Sequence, residues 1–268
     1  MSEFESYDAY CRFRRSIREG ARFLLEGTAL QFLAAVAKSS RSRRETLDTG
    51  TTLYRTQIAY DWTEWLEYDS ENSESYVAGK NIVPCEEKRL RPLPDGAREG
   101  RVNPIGIPVF YGAIEEETAV AEVRPWIGSV LTVGRFELQR ECHIVNCADN
   151  FLGDSVWPPG FLDSFNRANG HEVTPPSAKE IENYIWHNID QAFSRPVQRD
   201  EDRADYAPTQ ILGELFRKEK FDGIVYRSSV GEGHNIALFD IEVARCVERK
   251  LAEVKSLKFA YDRTNEIF

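Results

Sequence analysis

The chain has 268 residues, 41% of them hydrophobic, and a formal net charge of −10 at pH 7. This length and apolar content suffice for one large or two small domains whose core needs no disulfides. The acidic balance argues against direct binding of duplex nucleic acid, because such proteins carry a basic surface that displaces counterions from the phosphates. One or two local arginines can still hold a small anion.

The cysteines are few for this length, odd in number and scattered, at positions 11, 85, 142, 147 and 246. Such usage predicts a reduced, cytoplasmic setting rather than a disulfide framework. Cys142 and Cys147 flank His143 in CHIVNC, but no second Cys/His pair accompanies them, so we interpret this segment as a buried strand and expect no metal. No apolar run approaches membrane-spanning length and the N-terminus lacks the core of a signal peptide, so no membrane association is expected.

The first 46 residues carry a helical pattern. Apolar residues recur from Phe4 to Val36 at near-helical intervals, with predicted breaks at Gly20 and Gly27. The arginines among them alternate with acidic residues, which is typical of a solvated helix face. We therefore expect two or more amphipathic helices here.

Composition then divides the chain. The polar run KSSRSRRETLDTG, residues 38–50, reads as a linker. We predict a helical N-terminal extension over residues 1–48 and a second, catalytic unit over residues 49–268. Within the second unit, the proline- and glycine-containing stretch 86–106 is expected to be a long surface loop.

From residue 51 onward short strands alternate with helices, which predicts an α+β domain. The helix over residues 177–193 opens with Ser177 and Glu180 at capping-box spacing, and another helix begins at Pro208. The segment 243–262 fits either a strand or a helix. The other predicted elements are the strands TTLYRT, IPVFYGA, SVLTVGRFEL, CHIVNC, FDGIVYRSS and HNIALFD, and the helix EEETAVAEV.

Polar side chains lie at the ends of three of these elements, where functional sites usually form. They are Tyr54 and Arg55 in TLYRT, Tyr111 with Glu122 eleven residues later, and the YRSS of residues 226–229. Each has an ordinary structural explanation when taken alone. Together an arginine, an aromatic ring, a carboxylate and a hydroxyl indicate a site for an anionic ligand with a planar ring and a sugar.

Other features carry less chemistry. His234 is one of four histidines and is interpreted as a chance neighbour of the YRSS segment. Strand alternation is expected to direct Arg227 away from Ser228. The chain contains no GxGxxG, Walker loop or HExxH motif, which disfavours a Rossmann dehydrogenase, a P-loop NTPase or a zincin.

Three longer strings resemble the RES-domain family, which is named for its Arg, Glu and Ser and whose founding members are toxins of bacterial toxin–antitoxin pairs. The resemblance covers most of residues 50–240 and is carried by GTTLYRT, by RVNPIGIPVFYGAIEEETAVAEVRP, and by AFSRPVQRDEDRADYAPTQILGELFRKEKFDGIVYRSSVGEGHNIALF. The N-terminal helical segment and the insertion 60–105 are extra to a minimal member. The resemblance implies an ADP-ribosyltransferase-like split β-sheet core with surrounding helices.

The resemblance also implies site residues. The family's arginine corresponds to Arg55, its tyrosine to Tyr111, its glutamate to Glu122 and its serine to Ser228, with Ser229 as the alternative. Glu122 is expected to stabilise a cationic ribose, in catalysis shared with Ser228 and Tyr111. Arg55 is expected to bind the pyrophosphate, while Tyr111 and the serine contact the ring, ribose or carboxamide.

The function implied is that of a toxin-type enzyme that degrades NAD⁺ by cleaving its nicotinamide–ribose bond, by phosphorolysis or by hydrolysis. Inorganic phosphate as co-substrate, a helix-turn-helix (Xre-type) antitoxin or other regulator, and a homo-oligomer are all left open. One alternative is a protein ADP-ribosyltransferase. An alternative of another class is a non-catalytic nucleotide-binding sensor that kept the fold.

Overall fold

The computed structural model describes residues 4–20, 22–69, 74–93, 96–148, 176–195 and 203–258. Helices and a mixed sheet share these residues, so the predicted α+β class is confirmed. Short 3₁₀ turns cover Ser40–Arg43 and Arg203–Tyr206. The α-helices are α1 (Ala9–Glu19), α2 (Gly27–Ser39), α3 (Glu87–Leu90), α4 (Glu116–Glu122), α5 (Ala178–Ser194) and α6 (Ala207–Lys218).

Eight strands form one sheet in the order β1-β7-β8-β9-β5-β2-β6-β10, and β3 and β4 form a separate hairpin. Strands β7 and β8 pair in parallel, and the other described neighbours pair antiparallel. The strands are β1 (Arg44–Leu47), β2 (Thr52–Gln57), β3 (Tyr60–Asp69), β4 (Glu74–Pro84), β5 (Phe110–Ala113), β6 (Val130–Leu138), β7 (Cys142–Asn146), β8 (Gly223–Arg227), β9 (His234–Leu238) and β10 (Ala244–Glu253).

The sheet is weakest between β2 and β5. These strands share one residue pair, Tyr54 with Ala113, whereas β2 pairs with β6 over six positions from Thr52 to Gln57. Beyond this bridge the two halves of the sheet separate and leave room for a cleft. Whether this arrangement corresponds to the expected ADP-ribosyltransferase-like split core stays a prediction.

The N-terminal helices belong to the main hydrophobic core. Phe13 and Phe32 from α1 and α2 share a buried cluster with Trp186 of α5 and Phe216 of α6. The indole Nε1 of Trp186 also donates a hydrogen bond to Ser39 Oγ at 3.2 Å. Burying each of these large side chains stabilises the fold by roughly 1.5–3 kcal/mol. The helical extension is therefore packed against α5 and α6, and the division at residue 48 stays a prediction.

The predicted linker 38–50 is wrong. Helix α2 continues to Ser39, and Arg44–Leu47 form the edge strand β1, paired with β7. Three of the four β1 residues are exposed, and native edge strands are commonly polar or charged. The same composition therefore suited both a linker and an edge strand.

The predicted surface loop 86–106 is also partly wrong. Leu90, Val102 and Asn103 are buried. The amide nitrogen of Asn103 donates to three backbone carbonyls of its own loop, at distances of 2.8 to 3.1 Å. These internal bonds replace regular secondary structure, because buried backbone groups need partners. The loop is thus a packed part of the body.

The remaining element predictions agree with the structure. The breaks at Gly20 and Gly27 separate α1 from α2, and the Ser177–Glu180 capping box opens α5. Within the segment 243–262, which fitted either state, Ala244–Glu253 form strand β10, and residues 259–262 lie outside the described residues. No helix within the described residues is long and apolar enough to cross a membrane.

Candidate active site

A cleft of about 340 Å³ opens where β2 and β5 part. Its volume falls in the range of roughly 300–1,000 Å³ found for small-molecule sites. Arg55, Tyr111 and Glu122, predicted from three distant parts of the sequence, all line it. Its wall also includes Tyr54, Thr56, Gln57, Gly100, Arg101, Gly112, Ala113, Ala119, Val123, Tyr206, Tyr226 and Asn235.

Glu122, the last residue of α4, is held through one carboxylate oxygen. Its Oε1 accepts a hydrogen bond from Ser228 Oγ at 2.7 Å and another from Asn235 Nδ2 at 2.5 Å. Within the described residues, no hydrogen bond reaches its other oxygen, Oε2. The two bonds to Oε1 fix the orientation of the carboxylate, and Glu122 lines the cleft.

The turn after β8 is built around Ser228. Its hydroxyl oxygen accepts hydrogen bonds from the backbone nitrogens of Val230 and Gly231, at 3.2 and 3.1 Å, and its own nitrogen donates to the carbonyl of Gly233. A side chain at Gly233 would overlap the Glu115 carboxylate at the start of α4. The glycine at position 233 thus lets the turn lie close to Glu115. The turn places the Ser228 hydroxyl against Glu122. Ser229, the alternative assignment, is exposed on this turn.

Arg55 enters the cleft from β2. Its Nη1 donates to the Tyr111 carbonyl at 2.5 Å, across the gap where the β2–β5 ladder has ended, and its guanidinium lies 5.7 Å from the Phe110 ring centre. Its Nε is buried without a hydrogen-bond partner, and no carboxylate within the described ranges pairs with it. Burial lowers the pKa of Arg55 to about 10. A cation with so little compensation favours an anionic ligand.

Tyr111 presents its ring to the cleft and keeps its hydroxyl occupied. The hydroxyl donates to Asn103 Oδ1 at 2.7 Å and accepts from the Val102 backbone nitrogen at 3.0 Å. Burial raises the pKa of Tyr111 well above its ordinary value. The packed loop therefore orients the ring for stacking, and the hydroxyl is not free to act on a ligand.

Two polar residues of the cleft wall, Arg101 and Asn235, were not predicted from the sequence. Arg101 donates to the Phe193 carbonyl at 2.9 Å. Its positive charge faces the buried Tyr226, whose pKa burial raises to about 12. Asn235 is 4% exposed and reaches Glu122 from β9. A signal for Asn235 was present, since an amide inside the apolar run HNIALF needs a partner. Arg101 was not considered for the site because residues 86–106 were predicted to form a surface loop.

Comparison with known proteins places this site in a family. A family model described as RES domain matches residues 82–262. The chain belongs to the RES domain family. The RES domain match includes Arg101, Tyr111, Glu122 and Ser228, whereas Arg55 lies outside it.

Other comparisons add less. One solved structure, the M. tuberculosis MbcT-MbcA toxin-antitoxin complex, matches with 12% sequence identity and a TM-score of 0.38, covering 81% of this chain and 92% of that chain. A TM-score this low does not establish a shared architecture. A search of curated proteins found no match.

Two residues in or near the YRSS segment that were not assigned to the site, Arg227 and His234, lie outside the cleft wall of this RES domain. Arg227 donates from Nε to the fully buried Asp190, and its backbone nitrogen donates to the same carboxylate at 2.9 Å. His234 donates from its backbone nitrogen to Glu115 at 2.8 Å. Both residues fasten the ends of β8 and β9, which carry Tyr226 and Asn235.

Within the described part of the RES domain protein, no three His, Cys, Asp or Glu side chains converge as a metal site. Cys142 and Cys147 are buried, and burial raises the pKa of Cys142 to about 11. The intervening His143 lies 3.2 Å from Thr46 on the neighbouring strand β1. The CHIVNC segment forms a strand, as predicted.

Proposed function

We propose that this RES domain protein degrades NAD⁺ by breaking the bond between nicotinamide and ribose. The observation that carries the proposal is the Glu122 carboxylate. One of its oxygens is fixed by Ser228 and Asn235, and the residue lines a cleft that Arg55 and Arg101 also line, so we assign the second oxygen to the substrate. Family membership and the resemblance of the sequence support the same activity.

The cleft wall has the chemistry that NAD⁺ requires. Two guanidinium groups, Arg55 and Arg101, suit the pyrophosphate, because a planar fork binds phosphate oxygens in pairs. The ring of Tyr111 offers a stacking surface for nicotinamide or adenine. Ala119 leaves space beside Glu122, so a ribose can approach the carboxylate closely.

In the reaction, the C–N bond between ribose and nicotinamide breaks, and its electron pair leaves with nicotinamide. The ribose then carries oxocarbenium-like positive charge, which the negative Glu122 stabilises. Attack by water gives ADP-ribose and a proton, and attack by inorganic phosphate gives ADP-ribose 1-phosphate. We assign Ser228 a positioning role, since its hydroxyl hydrogen is directed at Glu122. Tyr111 and Arg55 hold the substrate.

A toxin role and an antitoxin partner follow from the family resemblance. An enzyme that removes NAD⁺ from a cell requires restraint, and a helix-turn-helix antitoxin or another regulator would provide it. The chemistry of the cleft is the same whether the ribose is passed to water, phosphate or a protein side chain. The nature of the acceptor is therefore a matter for experiment.

The test is an NMR time course of the purified protein with NAD⁺, with and without inorganic phosphate. Release of nicotinamide is expected. ADP-ribose 1-phosphate formed only with phosphate identifies phosphorolysis, free ADP-ribose in both samples identifies hydrolysis, and ADP-ribose attached to protein identifies transfer. Intact NAD⁺ in both samples, with binding still detected by calorimetry, would replace the proposal with a nucleotide sensor.

A further inference from the structure

The β3–β4 hairpin extends from the strand that carries Arg55. Four residues, 56–59, separate Arg55 from Tyr60, where β3 starts. Its strands pair with each other and not with the main sheet. The RES domain match begins at residue 82, so most of the hairpin is additional to the family match. An isolated two-stranded hairpin is at best marginally stable in water, so a covering partner would stabilise it.

At its base the hairpin turns one face toward the body, and farther out both faces are exposed, with Trp65 and Tyr76 on the face that carries Asp61. Asp61, at the base of β3, accepts hydrogen bonds from the Glu86 backbone nitrogen and from Arg89 of α3. Side chains alternate along a strand, so the residues on either side of Asp61 belong to the opposite face. That face, called here the outer face, is directed away from α3.

The outer face is apolar and exposed. Cross-strand pairs share a face of a sheet, and the register pairs Trp62 with Ile82 and Leu66 with Val77. Trp62, Leu66 and Tyr68 are each more than 60% exposed. The apolar members of the outer face are Tyr60, Trp62, Leu66, Tyr68, Val77 and Ile82. Exposed apolar side chains gathered on one face are typical of an interaction surface.

One ion pair stands in the middle of the outer face. Glu64 and Lys80 are paired across the strands with their charged atoms 3.1 Å apart, and both side chains are about half exposed. Apolar residues lie on both sides of this pair along the hairpin. The charge pattern is therefore self-complementary. When two outer faces pack about a two-fold axis that runs along the strands, midway between Glu64 and Lys80, each Glu64 meets the Lys80 of the other copy.

We propose that the outer face binds a second copy of this chain, forming a two-fold symmetric hairpin-to-hairpin dimer. A two-fold interface joins the same patch on both subunits and so requires this kind of self-complementarity. A membrane surface fits less well, because Glu64 stands within the outer face and Asp61, Glu67 and Asp69 add negative charge on the opposite face of the same hairpin.

The area of the outer face determines how stable the dimer is expected to be. Ten strand residues span about 33 Å and two strands about 10 Å, which gives roughly 300 Å² per copy. A standard stable interface buries roughly 800 Å² per partner. The dimer is therefore expected to form and dissociate with protein concentration rather than to be obligate.

The experiment is sedimentation velocity over a wide range of protein concentration. The wild-type protein and Thr63→Glu, a control on the inner face, are expected to dimerise as concentration rises. Trp62→Glu is expected to stay monomeric. A wild-type protein that is monomeric at every concentration, or a Trp62→Glu variant that dimerises like the wild type, would overturn the proposal.

Reversing the two charges of the ion pair in separate variants distinguishes loss of this interface from a folding defect. Glu64→Lys and Lys80→Glu, each alone, place like charges opposite each other in the dimer and are expected to be mainly monomeric. Mixed together, the two variants present opposite charges to each other, and a heterodimer is expected to return. No dimer in the mixture, with circular dichroism matching the wild type, would contradict the two-fold arrangement.

Discussion

Ser228 donates its hydroxyl hydrogen to Glu122 at 2.7 Å, which ties the turn after β8 to the end of α4. The two residues are 106 positions apart in the chain, yet the hydroxyl and the carboxylate form one unit with Asn235. The following predictions concern this unit, the cations of the cleft and the buried groups behind them.

Ser228→Ala should lower kcat far more than it raises KM, because it frees Glu122 to rotate without removing a ligand contact. A hydrogen bond to a charged group contributes about 1.5–3 kcal/mol. This energy corresponds to roughly a ten- to hundredfold loss of rate. Steady-state kinetics with NAD⁺ measure this loss. The control is Ser229→Ala, one position along the same turn, which is expected to keep wild-type kcat. Equal losses in the two variants would remove the positioning role.

Arg55→Lys should raise the KM for NAD⁺ with a smaller effect on kcat. An ammonium group keeps the charge but cannot form the paired hydrogen bonds of a guanidinium to a pyrophosphate. Arg89→Ala is the matched control, since Arg89 is an exposed arginine paired with Asp61 outside the cleft wall. Calorimetric affinity for NAD⁺ that is the same in Arg55→Lys and wild type would contradict the pyrophosphate assignment.

Tyr226→Phe should make the free energy of unfolding fall less steeply with pH in the alkaline range. Burial raises the pKa of Tyr226 to about 12, above the ordinary value of 10 for an unfolded chain. Its neutral hydroxyl therefore contributes stability that is complete below pH 10 and disappears as pH rises through about 12. The slope in this window is at most about 1.4 kcal/mol per pH unit for one group. Denaturant unfolding between neutral and alkaline pH measures it, and the exposed Tyr60→Phe is the control. A slope equal to that of wild type would exclude a contribution from Tyr226.

The Arg227–Asp190 pair should respond asymmetrically to mutation. Asp190 is fully buried, whereas 29% of the Arg227 side chain is exposed. Arg227→Leu leaves a buried carboxylate without its cation, which typically costs about 3–5 kcal/mol. Asp190→Asn leaves a cation that can reach water, so a smaller loss is expected. Urea unfolding of the two variants compares them directly, and a larger loss in Asp190→Asn would reverse the argument.

Local sequence patterns predicted most elements of this fold. The capping box at Ser177 and the glycine breaks around α1 and α2 depend on neighbouring residues alone, and the structure agrees with them. The edge strand β1 did not follow from its pattern, because an exposed edge strand pairs on one side only and carries polar residues like a linker.

The candidate site could be predicted in part. Arg55, Tyr111 and Glu122 line one cleft, and Ser228 stands directly behind Glu122. The bond from Asn235 to Glu122 and the approach of Arg101 to Tyr226 depend on packing between elements more than a hundred residues apart, which spacing along the chain does not encode. The hydrogen bond that Ser228 donates to Glu122 likewise could not be predicted from the sequence.

The central claim is that Glu122 stabilises the ribose cation formed from NAD⁺. The most direct measurement is nicotinamide release by Glu122→Gln, which keeps the shape of the side chain and removes its charge, compared with Glu117→Gln on the exposed side of the same helix. We predict that Glu117→Gln releases nicotinamide at the wild-type rate and that Glu122→Gln, folded and still able to bind NAD⁺, releases almost none. Wild-type release by Glu122→Gln would contradict the account and place the chemistry elsewhere in the protein.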